Sequence, residues 1–112
     1  MFVIYHNPKC STSRKVLDQI REAGHAPVVI DYLKDGWTRG QLLGLFAAAD
    51  VTPTQAMRVK NTPAEELGLI GADDDTIIRA MTEHPILVER PIVAAPKGVR
   101  LCRPVERLQE LL

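Results

Sequence analysis

The chain alternates between strand-like and helix-like patterns of apolar residues, and the order of these patterns predicts its elements. Residues 2–6 are largely apolar, which is typical of a central strand covered on both faces. From about Ser13 to Ala23 the apolar residues recur at helical spacing, which predicts an amphipathic helix that ends at Gly24. A second strand is predicted over residues 27–32. Strand, helix and strand in this order predict a parallel pair.

The middle of the chain carries a series of helix-start signals. Thr38 is followed by Gln41 at the spacing of a capping box, which predicts a helix to about Asp50. Similar signals open three further predicted helices, at Thr52-Pro53, Thr62-Pro63 and Asp73-Asp74-Asp75. The last of these helices should stop before Pro85. We therefore expect a helical insert over about residues 38–84.

After this insert the chain returns to short apolar runs. Such runs occupy residues 86–88, 91–95 and 99–102, and the turn signal Pro96-Lys97-Gly98 predicts an antiparallel hairpin between the last two. Pro104 then opens a final helix. The order is β-α-β, a helical insert and β-β-α, with a cysteine after the first strand. It indicates an α/β protein with a mixed four-stranded sheet, the thioredoxin-like architecture.

Composition narrows the classes of function. Residues 1–112 suffice for one domain, and Lys+Arg and Asp+Glu balance at 14 each, so no overall charge recruits nucleic acid or a membrane. No apolar run is long enough for a membrane span, and the N-terminus lacks a basic signal-peptide region. Cys10 and Cys102 lie far apart, which predicts free thiols in a reducing cytoplasm. The three histidines show no metal-ligand spacing with the cysteines, so we predict no metal.

The stretch from His6 to Lys15 reads as a strand end, a tight loop and a helix start, with Cys10 at the junction. A helix start offers unpaired N–H groups and a positive dipole end, which favour a thiolate and an oxyanion. The hydroxyls of Ser11, Thr12 and Ser13 add donors around the same loop. A lone cysteine more often fills a turn. The hydroxyl-rich surroundings favour a nucleophile instead.

Three arginines could complete an anion site. Arg58, Arg90 and Arg103 each lie at the end of a predicted element rather than on the polar face of a helix. A single arginine is usually a solvated cation, but Arg90 and Arg103 close strands, where ligands often bind at a sheet edge. A guanidinium presents paired donors and a permanent charge, which suit a tetrahedral anion.

Several motifs, in order along nearly the whole chain, resemble one known family. They are Tyr5-His6-Asn7-Pro8-Lys9-Cys10 with Ser13-Arg14, Arg58 with Lys60, Glu66-Leu67-Gly68-Leu69, His84-Pro85-Ile86-Leu87 through Arg90-Pro91-Ile92-Val93, and Arg100-Leu101-Cys102-Arg103-Pro104. The sequence is similar to the glutaredoxin-coupled arsenate reductases (ArsC) and their thioredoxin-fold relatives. This resemblance implies an enzyme that reduces arsenate to arsenite, or acts on a similar oxyanion. We expect a monomer with no bound cofactor.

The resemblance also assigns roles to residues. It implies that Cys10 is the nucleophile, that His6 helps to lower its pKa, and that Pro91 follows a cis peptide bond. The expected catalytic residues are Cys10, His6 and Ser13, and the expected substrate-binding residues are Arg58, Arg90, Arg103, Ser11 and Thr12. Arg58 is placed by its Arg-x-Lys spacing.

The source of electrons leaves alternatives open. Cys10 has no second cysteine two or three positions away, so an external thiol must reduce the arsenic, as glutathione and then glutaredoxin do in the family. Cys102 lies in an apolar run and is interpreted as a buried small residue rather than a resolving thiol. Two other functions remain: a general glutathione-linked thiol oxidoreductase, and an Spx-like transcriptional regulator. The arginines argue against the first, and Ser13, in place of a Cys-x-x-Cys partner, argues against the second.

Overall fold

A computed structural model describes all 112 residues, and the chain forms two compact units. The first unit comprises Met1–Asp35 and Arg90–Leu112, and the second comprises Gly36–Glu89. The helical insert predicted over about residues 38–84 falls inside the second unit. No helix is both long enough and apolar enough to cross a membrane.

The first unit is built on a mixed four-stranded sheet in the order β2-β1-β3-β4. The strands of the sheet are β1, Val3–His6; β2, Val28–Asp31; β3, Ile92–Ala95; and β4, Gly98–Leu101. Strand β1 pairs in parallel with β2 and antiparallel with β3, and β3 and β4 form the expected antiparallel hairpin. The parallel pair, the central position of β1 and the hairpin are thus confirmed.

Helix α1, Ser11–Glu22, packs together with a C-terminal 3₁₀ helix, Val105–Leu111, in the core of this unit. That core contains Phe2 and Ile4, three apolar residues of α1, Val93, Cys102, Leu108 and Leu111. Burial of such side chains stabilises a fold by about 1.5–3 kcal/mol each. Phe2 and Ile4 and the last helix, although distant in sequence, therefore share one core.

Two predictions about the first unit need correction. Helix α1 begins at Ser11 rather than at Ser13, so Cys10 is its N-cap, while Gly24 follows the C-cap with φ +91° as expected. The final helix is 3₁₀ rather than α-helical, and Pro104 caps it instead of opening it. A proline N-cap offers no side-chain acceptor for the helix amides, and no side-chain cap bond is present.

The second unit contains helices that start where the sequence predicts. Helix α2, Tyr32–Asp35, closes the first unit, and α3, Arg39–Ala49, and α4, Pro53–Ala56, then begin with complete capping boxes. Asp73 caps α5, Asp74–Glu83. The run at residues 86–88 is not a strand: Pro85–Leu87 is a 3₁₀ turn, and Val88 makes an isolated bridge with Met57.

The short helix predicted at Thr62-Pro63 does not form, and residues 62–68 make turns. The Thr62 hydroxyl donates to the carbonyls of Arg58 and Val59 and also accepts the N–H of Ala64 at 3.3 Å, so a capping contact forms but only one turn follows it. Gly68 then adopts φ +69°, a left-handed conformation that ends a helix after one turn. Thr62 thus makes a capping hydrogen bond, but the residues after it do not continue as a helix.

Candidate active site

The loop between β1 and α1 places Cys10 at the N-terminus of a twelve-residue helix. Cys10 has an extended backbone with φ −95° and ψ 121°, and its carbonyl accepts the N–H of Arg14 at 3.0 Å. The N–H of Cys10 donates to the carbonyl of Asn7 at 3.0 Å, which closes the loop. The sulfur therefore belongs to a residue whose backbone is fixed on both sides.

The electrostatics of this position favour the thiolate. Partial burial raises the pKa of the Cys10 thiol. The backbone N–H of Ser13, the guanidinium of Arg90 and the backbone N–H of Thr12 each lower it, and together they outweigh burial. The pKa of Cys10 consequently lies below its ordinary value, as nucleophilic attack requires.

Arg90 and Arg103 both lie at Cys10. Nη1 of Arg103 is 3.9 Å from the Cys10 sulfur, and the same nitrogen donates to the carbonyl of Arg90 at 3.1 Å. Nε and Nη1 of Arg90 are buried without a hydrogen-bond acceptor in the protein. Buried donors of this kind are costly unless a ligand or solvent satisfies them. Each arginine precedes a proline in a cis peptide bond, as the resemblance implied for Pro91.

His6 and Ser13 form a pair beneath the loop. Nδ1 of His6 lies 2.6 Å from the Ser13 hydroxyl, which also accepts the N–H of Asn7 at 3.1 Å. Burial lowers the pKa of His6, an effect that Asp31 opposes and Arg21 reinforces, so the ring is neutral near pH 7. Nδ1 and the Ser13 hydroxyl are thus joined by one hydrogen bond, in which the tautomer of the neutral ring sets the donor.

This pairing bears on two predicted residues. His6 contacts the Ser13 hydroxyl rather than the Cys10 sulfur, and the groups that lower the pKa of Cys10 are Arg90 and the backbone N–H groups of Ser13 and Thr12. The Ser13 side chain is fully buried and its hydroxyl faces His6 and Asn7, so the donor that Ser13 presents to the sulfur is its backbone N–H. Ser11 and Thr12 occupy the first turn of α1, and Thr12 also lends its backbone N–H to the sulfur.

Arg58 lies in the second unit, where it is paired with Glu89. Its Nη1 is 3.1 Å from Oε1 of Glu89, and both side chains are largely buried. Nε of Arg58 is buried without an acceptor. Cys102 is a fully buried free thiol in the core of the first unit, and burial raises its pKa to about 12. No group of three or more His, Cys, Asp or Glu side chains is arranged to hold a metal ion.

Asn7 also stabilises the active-site loop, although it was not among the predicted site residues. Its Oδ1 accepts the N–H of Lys9 at 3.0 Å, and the Asn7 side chain is almost completely buried. The available signal was the dipeptide Asn7-Pro8, because asparagine before proline favours turn initiation. Arg14 also ties the loop to α1, since its Nη1 donates to the carbonyl of Pro8 at 2.8 Å.

Comparisons with known proteins show what this chain is similar to. The sequence profile of the ArsC family matches residues 5–111. An arsenate reductase of Synechocystis sp. is 60% identical over 114 residues, which cover 100% of this chain and 81% of that protein. The arsenate reductase of Escherichia coli (strain K12) is 46% identical over 111 residues, covering 97% and 79% of the two chains.

Solved structures of known proteins also resemble this chain. The arsenate reductase from Vibrio cholerae matches it with a TM-score of 0.92 and 40% identity, covering 99% of this chain and 97% of that one. The predicted α/β class and thioredoxin-like fold are therefore confirmed.

Proposed function

This chain belongs to the ArsC family, and we propose that it reduces arsenate to arsenite through nucleophilic attack by the Cys10 thiolate. The proposal extends to the electron donors, which we take to be glutathione and glutaredoxin. It rests on the fold, on the relatives described as arsenate reductases, and above all on one observation: a thiol with a lowered pKa lies against two arginines.

The arginines supply what this attack needs. Arsenate near neutral pH carries one to two negative charges, and a thiolate can approach it only where fixed positive charge offsets the repulsion. Arg103 lies 3.9 Å from the sulfur, and Arg90 has two buried donors without a protein acceptor. An oxyanion bound beside Cys10 would satisfy these donors, and the N–H groups at the start of α1 would add to its binding.

The reaction balances with two external thiols. The Cys10 sulfur forms a bond to arsenic, and one arsenic–oxygen bond breaks, with its oxygen leaving as water after protonation. A glutathione thiol displaces a second oxygen in the same way. A glutaredoxin thiol then attacks the glutathione sulfur, forming a disulfide, and the electron pair of the sulfur–arsenic bond reduces arsenic from the +5 to the +3 state. Water finally releases arsenite and regenerates the Cys10 thiol.

The state of Cys102 supports an external donor. A resolving thiol must be accessible and must ionise near the working pH. Cys102 is fully buried, and its pKa is raised to about 12. We therefore assign no redox role to Cys102, and the reducing equivalents enter from solution.

Arg58 is part of the proposal because its Arg-x-Lys spacing matches the family motif. We propose that it contributes a further cation to oxyanion binding, together with Ser11 and Thr12. Its Nη1 is engaged by Glu89, but its buried Nε lacks an acceptor and is available to a ligand.

The test is arsenate-dependent NADPH consumption, coupled through glutathione, glutaredoxin and glutathione reductase. Cys10→Ser should abolish the rate, whereas Cys102→Ala should keep most of it, because alanine preserves a small apolar residue in the core. A rate that survives in Cys10→Ser would contradict the mechanism. A parallel reaction with thioredoxin and its reductase distinguishes the donors.

A comparison substrate separates this function from general thiol chemistry. A glutathione-linked thiol oxidoreductase should reduce a glutathione mixed disulfide faster than arsenate, and its rate should not depend on Arg90 or Arg103. If the wild-type protein shows that behaviour, the arsenate proposal fails and the alternative stands.

A further inference from the structure

Asn7, to which the sequence motifs assigned no role, makes three hydrogen bonds in and next to the active-site loop. Its N–H donates to the Ser13 hydroxyl at 3.1 Å, its Oδ1 accepts the N–H of Lys9 at 3.0 Å, and its carbonyl accepts the N–H of Cys10 at 3.0 Å. Only 2% of its surface is exposed. One residue thus uses its backbone acceptor and its side chain within the loop, and its backbone donor to join the loop to α1.

The amide donors of the loop divide into two groups. The N–H groups of Asn7, Lys9 and Cys10 point to partners within the loop or to Ser13, and Pro8 has no N–H. The N–H groups of Thr12 and Ser13, beyond Cys10, interact with the sulfur. Every partner in the first group except the Ser13 hydroxyl belongs to Asn7. Asn7 therefore engages the amides up to Cys10, and the amides that interact with the sulfur are those of α1.

We propose that Asn7 is a positioning residue for Cys10, whose carboxamide closes the turn that directs the cysteine sulfur toward the first amides of α1. The Oδ1 to Lys9 N–H bond closes a turn through the asparagine side chain. That turn brings the Asn7 carbonyl to the N–H of Cys10 and so sets the backbone from which the sulfur projects.

The asparagine side chain has the size and the neutral charge that closing this turn beside a thiolate requires. The carboxamide oxygen reaches the amide two residues ahead, which an alanine cannot do. An aspartate could accept the same bond, but it would place a negative charge near the thiolate and disfavour it. A serine hydroxyl makes the corresponding turn more weakly. The expected order of loop closure is therefore Asn, then Ser, then Ala.

The inference rests on the proposed role of Cys10 as a thiolate nucleophile, and its test does not require arsenate. The pH dependence of Cys10 alkylation by iodoacetamide is measured in the wild type, Asn7→Ala and Asn7→Ser, with mass spectrometry to confirm one adduct. Thr38→Ala is the matched control, because it also removes a side-chain acceptor for a backbone N–H, at the start of α3. Thermal unfolding is recorded for all four proteins.

Asn7→Ala should move the alkylation midpoint to higher pH, with about three- to tenfold less thiolate below the midpoint. Asn7→Ser should lie between Asn7→Ala and the wild type, and it carries the test if Asn7→Ala does not fold. Thr38→Ala should leave the midpoint unchanged while lowering the unfolding temperature.

Where the wild-type midpoint is low, two results would overturn the inference. One is a folded Asn7→Ala protein with the wild-type midpoint. The other is an equal shift in Thr38→Ala, because loss of stability alone would then explain the effect. A wild-type midpoint at the value of an ordinary thiol would overturn both this role and the thiolate mechanism, whereas a low wild-type midpoint that Asn7→Ala preserves would overturn this role alone.

Discussion

Nη1 of Arg103 lies 3.9 Å from the sulfur of Cys10, although 93 positions separate the two residues in the chain. The same nitrogen donates to the carbonyl of Arg90, so the guanidinium spans the cysteine loop and the start of the hairpin segment. Because β1 and β3 are neighbours in the sheet, the loop after one and the residues before the other meet at the same end. Sheet topology thus creates the pairing of thiol and cation.

Replacing Arg103 by lysine should weaken catalysis while preserving a positive charge. A lysine ammonium cannot reproduce the planar set of donors that reaches both the Arg90 carbonyl and the neighbourhood of Cys10. We expect kcat/KM for arsenate to fall by about ten- to a hundredfold, or about 1.4–2.8 kcal/mol of transition-state stabilisation. Arg107→Lys, on the exposed side of the C-terminal 3₁₀ helix, is the control. Equal losses in the two variants would contradict a role in the site.

Arg90→Gln should raise the pKa of Cys10. Arg90 lowers that pKa both by hydrogen bonding and by its charge, and glutamine removes the charge. The midpoint of iodoacetamide alkylation should move upward, so that at pH 7 a smaller fraction of Cys10 reacts as thiolate. Arg107→Gln should leave the profile in place. An unchanged midpoint in Arg90→Gln would show that the helix amides alone lower the pKa.

His6 should make the protein less stable in mild acid. Burial lowers its pKa in the folded state, so between that value and about 6.5 the unfolded chain binds more protons than the folded one. Stability is then fully present above about pH 6.5 and decreases as the pH falls through this window. His6→Gln removes the titrating ring.

Urea unfolding of the wild type and His6→Gln at pH 7 and pH 5 measures this effect. The wild type should lose more free energy of unfolding between the two pH values than the variant does. At pH 7, His6→Gln should itself be less stable by about 1–3 kcal/mol, because the buried hydrogen bond between Nδ1 and the Ser13 hydroxyl is lost. Parallel pH profiles for the two proteins would contradict the assignment of this titration to His6.

Only one cysteine should react in the folded protein. Cys10 is partly accessible and has a lowered pKa, whereas Cys102 is fully buried with a pKa of about 12. Treatment with iodoacetamide at pH 8 should therefore give a single adduct, on Cys10, and two adducts once the chain is unfolded in urea. Peptide mapping checks the position. Rapid modification of Cys102 in the native state would show that its part of the core opens.

Local sequence determined the parts of the fold that depend on neighbouring residues. The capping boxes at Thr38 and Thr52 and the aspartate at Asp73 each begin a helix where predicted, because the bonds involved span only three residues. The turn that pairs β3 with β4 is equally local. At Thr62 the same kind of signal gives only one turn: its hydroxyl accepts the N–H of Ala64, but the left-handed conformation of Gly68 ends the turn.

Only the tertiary structure decided what surrounds the cysteine. Sequence identified Cys10 and predicted a helix start beside it, and the motifs pointed to Arg90 and Arg103. Their approach to the sulfur required the sheet order, which brings distant segments together. Sequence did not reveal that the Ser13 hydroxyl serves His6, nor that Asn7 closes the loop. The direction of a buried hydroxyl or carboxamide depends on every donor and acceptor packed around it, and these are known only once the chain has folded.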